Sequence, residues 1–287
     1  KGTAASFKFP QGLALAPNGD IWIAERGNNV IRKMDQAYNV STVAKSGTVT
    51  FNAPWQGDFD ASGSYYVANK ALNNIIKVTQ DGTCSVFATG TTFKSPMSVI
   101  FDGNDNMYVA DRDNKAVKKI TPDGTVTSYD MSSLKAGPNC MAIDKKGRLF
   151  VGTGGTYQLH MFDTDGTLKT VFGTGVAPTA ATYSDGEPND LSTATMGGTF
   201  GIAFGEEDVL YIADYTMQTI RTLAPNADGD YAKGTLKTIA GIPGTKGKVD
   251  GSALTATFNG PASILVLDKI YVADEQNHLI RAITINK

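Results

Sequence analysis

The sequence is poor in the residues from which most active centres are built. Its 287 residues include only two histidines and two cysteines. Neither His160 nor His278 has a second His or a Cys at ligand spacing, which argues against a zinc site. Cys84 and Cys140 fall at different points of different repeats, so a disulfide framework is not expected. Charged residues make up only 19% and the net charge is -2. The basic footprint of a nucleic-acid binder is therefore absent, and no nucleic-acid partner is expected. No apolar run approaches the ~18 residues of a membrane span, so membrane insertion is not expected either. The start, Lys1-Gly2-Thr3, has no apolar targeting segment, which leaves the compartment open.

What the sequence does hold is a repeat. Asn106-Met107-Tyr108-Val109-Ala110-Asp111 has relatives at Ile21–Glu25, Tyr65–Asn69, Leu149–Thr153, Leu210–Asp214 and Ile270–Asp274. Each is a short run of β-branched and aromatic residues closing on a small residue and then, usually, a carboxylate. A period of about 40 residues points to a solenoid, a propeller or an array. The runs before and after this motif are also strand-like. A Phe-x-x-Pro unit opens most repeats (Phe7–Pro10, Phe51–Pro54, Phe93–Pro96, Phe258–Pro261). Leu134-Lys135-Ala136-Gly137-Pro138 is a looser version, and Met196–Thr199 lacks the proline. Asn-Gly and Asp-Gly turns, such as Pro17-Asn18-Gly19-Asp20 and Pro122-Asp123-Gly124-Thr125, punctuate the runs as hairpin connections do. No stretch sustains a helical period.

Four antiparallel strands per repeat make one propeller blade, and six repeats give an all-β, six-bladed β-propeller. The expected blades span approximately 7–47, 51–90, 93–130, 134–175, 196–241 and 258–287, within one domain over 1–287. The spacing stretches from about 40 to about 60 residues over the last two steps, and loops of that size are commonly functional. The added length lies in 176–193, 225–234 and 242–257. The sixth repeat ends in its third strand at Ile283–Lys287, while Lys1–Ser6 resembles only the tail of an inter-blade linker. The last blade is thus expected to lack its outer strand in this chain, with upstream residues of the same polypeptide supplying it.

The pattern of a turn glycine, an apolar run, Val-Ala-Asp, a polar loop and Ile-Arg resembles the NHL repeat across the chain, most specifically in repeats one, three and six. The linker Asp250-Gly251-Ser252-Ala253 with Ala256 and Phe258 resembles secreted bacterial surface proteins in which an IPT/TIG domain precedes the propeller. The resemblance implies a secreted or cell-surface location and an upstream domain. NHL proteins include interaction scaffolds, an RNA-binding subgroup and relatives with lyase or lactonase activity, so the fold leaves the function open.

Because the carboxylates Glu25, Asp111, Asp214 and Asp274 recur with the repeat, they read as acceptors for backbone N–H groups in their own turns. The third-strand cations Arg32, Lys77, Lys118, Arg221 and Arg281 read as their ion-pair partners or as snorkelling side chains, with His160 in the same column. Residues after Phe-x-x-Pro should face the channel mouth: Gln11, Gln56, Met97, Asn139, Phe200 and Ser263. Gluconolactonase-like propellers hold a divalent cation there, and only Asn139 matches; a hard cation needs several oxygen ligands. Asn226–Asp230 and Asp185–Asp190 read as turns rather than calcium loops. No nucleophile–His–acid set can be assembled, so no catalytic residue, metal or cofactor is expected. The ligand-binding candidates are Arg26, Trp55, Lys70, Arg112, Tyr157 and Tyr215, for a glycan or protein ligand on the face bearing the linkers. The alternative is a metal-dependent lactonase- or lyase-like enzyme using the central channel.

Overall fold

The computed structural model describes residues 5–45, 49–87, 93–134 and 136–284. The expected boundary segments 46–47 and 88–90, Lys135, the segment 1–4 and the terminal Ile285-Asn286-Lys287 lie outside the described residues. The chain is all-β. Six antiparallel sheets follow one another along it, five with four strands and the last with three. This is the expected six-bladed β-propeller with a three-stranded last blade. The chain divides into two compact units, Lys1–Ser133 and Leu134–Lys287.

The first unit holds three sheets. They are β1 (Pro10–Leu15), β2 (Ile21–Glu25), β3 (Val30–Met34) and β4 (Val40–Lys45); β5 (Pro54–Phe59), β6 (Tyr65–Asn69), β7 (Asn74–Val78) and β8 (Cys84–Phe87); and β9 (Pro96–Phe101), β10 (Met107–Asp111), β11 (Ala116–Ile120) and β12 (Val126–Asp130). Every residue of β2, β6 and β10 is buried, so both faces of these strands are covered. That explains the continuous apolar runs of these strands. The Trp22 ring meets Phe59 at 5.1 Å and Tyr65 at 5.3 Å, joining the first two sheets. The residue before the opening proline has positive φ in Phe9, Ala53 and Ser95, which turns the chain into β1, β5 and β9.

The second unit holds β13 (Pro138–Ile143), β14 (Leu149–Thr153), β15 (Leu159–Phe162) and β16 (Leu168–Phe172); β17 (Thr199–Phe204), β18 (Leu210–Asp214), β19 (Thr219–Ala224) and β20 (Thr235–Ala240); and β21 (Pro261–Val266), β22 (Lys269–Asp274) and β23 (Leu279–Thr284). Its core carries part of an insertion: Tyr231, from the expected loop 225–234, is fully buried and meets the Phe150 ring at 4.9 Å. Its hydroxyl donates to the carbonyl of Asp208.

Candidate functional site

The second-strand carboxylates are structural ties. Glu25 accepts from the Lys8 N–H at 2.7 Å, Asp111 from Lys94 at 2.6 Å, Asp214 from Gly197 at 2.9 Å and Asp274 from Asn259 at 2.8 Å. Asn69 does the same for Asn52 at 2.7 Å. These donors belong to the segment leading into the first strand of the same blade. The bonds therefore reach well beyond each residue's own turn, although Asp214 also accepts from Met217 within its turn. A long Asn or Gln at the left-handed loop position then ties one blade to the next. Asn29 accepts from Ala53, Asn73 from Ser95 and Gln218 from Gly260.

Strand register pairs a cation with each carboxylate. Ile23 faces Arg32, Val109 faces Lys118, Ile212 faces Arg221 and Val272 faces Arg281. Arg32 lies 3.3 Å from Glu25, Lys118 3.1 Å from Asp111, Arg221 3.7 Å from Asp214 and Arg281 3.1 Å from Asp274. Lys77 does not belong to this column. Val67 faces Ile76, and Lys77 instead reaches Asp60 at 3.8 Å, over the Tyr66 ring at 5.1 Å. The exchange is consistent: blade two has the neutral Asn69 and, in the cation column, Ile76, and blade four has Thr153 with His160. Burial with no countercharge is costly for an ion, so the cation is missing wherever the carboxylate is. His160 is fully buried, its two ring nitrogens have no hydrogen-bond partner, and burial lowers its pKa to about 4. Burial is also the main influence raising the Glu25, Asp214 and Asp274 carboxyls, against the pull of the neighbouring arginines.

In the first unit, three ligand-binding candidates come together. Lys70 Nζ lies 4.3 Å from the centroid of the Trp55 ring, and the Arg26 guanidinium lies 5.6 Å from it. Arg26 also covers the Phe9 ring at 4.6 Å, a partner that the sequence reading missed. Trp55 is only 7% exposed, because these cations and the neighbouring strand cover it. Arg112 is half-buried at the start of a 3-10 turn, Arg112–Asn114. Of the mouth candidates, Gln11, Gln56 and Met97 are all buried, and neither amide atom of Gln11 has a hydrogen-bond partner.

In the second unit, Tyr215 stacks on Phe200 at 4.5 Å and accepts from the Gln276 amide. Tyr157 takes the left-handed loop position, which Asn29 and Asn73 occupy in blades one and two. Asn139 and Ser263 are buried; Asn139 donates to the Thr199 carbonyl at 3.4 Å. The Asn226 loop is a turn, its Oδ1 accepting from Asp228 and Asp230. Asp185 is not. It reaches the fully buried Arg221 at 2.6 Å and accepts from the Thr238 N–H, so the 176–193 linker is latched to its blade. Asp250 makes the same kind of ion pair with Arg281 in the 242–257 linker. The signal was present in sequence as Asp-Gly followed by Ala-Thr and a large apolar residue, at Asp185 to Met196 and at Asp250 to Phe258. Among the described residues, no three His, Cys, Asp or Glu side chains gather as a metal site. Among the described residues, no helix is long and apolar enough to cross a membrane.

The NHL repeat family matches residues 7–34. No curated protein sequence matches the chain. Many solved structures share the fold. A Bacteroides thetaiotaomicron protein of unknown function is 19% identical with a TM-score of 0.78, covering 98% of this chain and 70% of that one. An auxiliary nutrient binding protein from Bacteroides ovatus is 20% identical with a TM-score of 0.76, over 98% and 70%. Virginiamycin B lyase from Staphylococcus aureus is 14% identical with a TM-score of 0.63, over 98% and 85%. The fold is thus shared by binding proteins and by enzymes.

Proposed function

We propose that the chain is a non-catalytic binding propeller of a secreted or cell-surface bacterial protein, recognising a glycan or a protein. The observation that carries this reading is the gathering of Lys70 and Arg26 on Trp55. These residues occupy positions less repetitive than the carboxylate column, whereas the repeated carboxylates are committed to holding their own blades. Aromatic groups rimmed by cations are suited to recognition, because they combine apolar area with directed polar contacts. The likeness to an auxiliary nutrient binding protein supports the reading. Arg112 in the first unit, and Tyr157 and Tyr215 with the linkers around Tyr183 and Lys246-Gly247-Lys248 in the second, are further candidates for ligand contact, and an upstream domain would precede the propeller.

A glycan-array screen of the wild type against Trp55→Ala tests the proposal, with a thermal melt confirming that the variant is folded. Loss of the bound glycans is expected; unchanged binding would remove the Trp55 patch. The likeness to a lyase favours the rival reading, a metal-dependent lactonase- or lyase-like enzyme. Stoichiometric binding of a divalent ion that is lost in Asn139→Ala would support it.

A further inference from the structure

We infer that the Trp55 cluster is built around an anionic group, and that its ligand is a carboxylate-bearing sugar such as a uronic acid. This rests on the binding reading above and specifies its ligand.

Gln11 and Trp55 each follow the opening proline of their strands, β1 and β5. The two strands run close together: a Cβ on Gly12 would stand 2.5 Å from the Trp55 carbonyl oxygen. Gln11 is fully buried with neither amide atom hydrogen-bonded, and the indole Nε1 of Trp55 has no hydrogen-bond partner either. Buried polar groups are normally satisfied. Three unsatisfied atoms at equivalent positions on adjacent strands therefore point to a ligand rather than to a defect of packing.

The chemistry of the set is one-sided. The indole offers only a donor, lysine three and arginine five; Gln11 adds an amide donor and the single acceptor, its carbonyl oxygen. A neutral sugar presents hydroxyl hydrogens that each need an acceptor, and this set has little to offer them. A carboxylate accepts from every donor present, and charge-assisted hydrogen bonds are the stronger kind. The two cations come from equivalent positions in successive blades, immediately after Glu25 and Asn69. An anion beside the indole gains from both cations at once. The Gln11 carboxamide, donor and acceptor together, suits a ring hydroxyl beside the carboxylate. An extended acidic peptide would call for a stripe of cations along its length instead.

The test is a binding screen of the whole chain against matched acidic and neutral oligosaccharides, with trigalacturonate, galactotriose and hexaglutamate titrated by calorimetry at low and high salt. The acidic sugar is expected to bind at least about tenfold more tightly than its neutral counterpart, and to weaken as salt rises. Lys70→Gln and Arg26→Gln should each lower that affinity by about tenfold, and Lys70→Glu should abolish it. Lys119→Gln, on β11, should leave it unchanged. If neutral glycans bind equally well or better and still require Trp55, the anion assignment fails while the binding reading stands. If neither a glycan nor the peptide binds, the binding reading itself fails. Hexaglutamate binding more tightly than any acidic sugar, and lost in Lys70→Gln, would overturn the sugar assignment in favour of a peptide.

Discussion

The two units use the same third-strand cation differently. In the first, Arg32 and Lys118 each meet the repeat carboxylate and keep part of their side chains in water. In the second, Arg221 and Arg281 each bridge two. One is the repeat carboxylate and the other an aspartate from a long linker, with backbone carbonyls of that linker completing the shell. An insertion of 15 or so residues is entropically tolerable, but it must be held somewhere. Here it is held by a residue that the repeat already supplied. Arg221 is the stronger latch, since it has no exposure at all and Tyr183 stacks on it at 4.7 Å. Asp250 is 90% exposed, so the Arg281 latch is the weaker.

Arg221→Ala should produce the largest effect, about 3–5 kcal/mol lost in urea unfolding, because it strands the buried Asp214. Arg32→Ala should cost only about 1–2 kcal/mol, since Glu25 keeps its bonds from Lys8 and Asn28. Equal losses would show that the linker latch contributes nothing. Blade four, where the cation is replaced by His160, should differ from both in its pH dependence. The unfolded chain takes up a proton near pH 6.5 and the folded one only near 4, so stability is fully present above 6.5 and falls on acidification through that window. The loss amounts to about 3 kcal/mol and should vanish in His160→Leu, measured by unfolding at pH 7 and pH 4. Asp185→Asn should cost about 1–3 kcal/mol and expose 176–193 to limited proteolysis. Asp250→Asn, at the exposed latch, should change stability by less than about 1 kcal/mol.

Much of this was legible in the sequence, and the failures have physical causes. Recurrence showed the strands, the hairpins and the structural duty of Glu25, Asp111, Asp214 and Asp274. Lys77 was misplaced because Ile75-Ile76-Lys77 carries two apolar residues in a row, and a slip of one residue exchanges the two faces of a strand. Asp185 was read as a turn because its partner lies 36 residues further on, with nothing local to announce it. Position alone nominated Trp55, Arg26 and Lys70. That all three meet depends on side chains crossing between blades, which no repeat pattern encodes.

The central claim is a division of labour within one repeat: the third-strand cation holds the blade, and the residue after the carboxylate binds the ligand. Two lysines of the first unit test it side by side, Lys118, 3.1 Å from Asp111, and Lys70, over Trp55. Lys118→Gln and Lys70→Gln should be measured for unfolding free energy and for binding of the array-selected glycan. The account predicts that Lys118→Gln loses stability and keeps affinity, while Lys70→Gln loses affinity and keeps stability. The reverse pattern, or one variant losing both and the other neither, would contradict it.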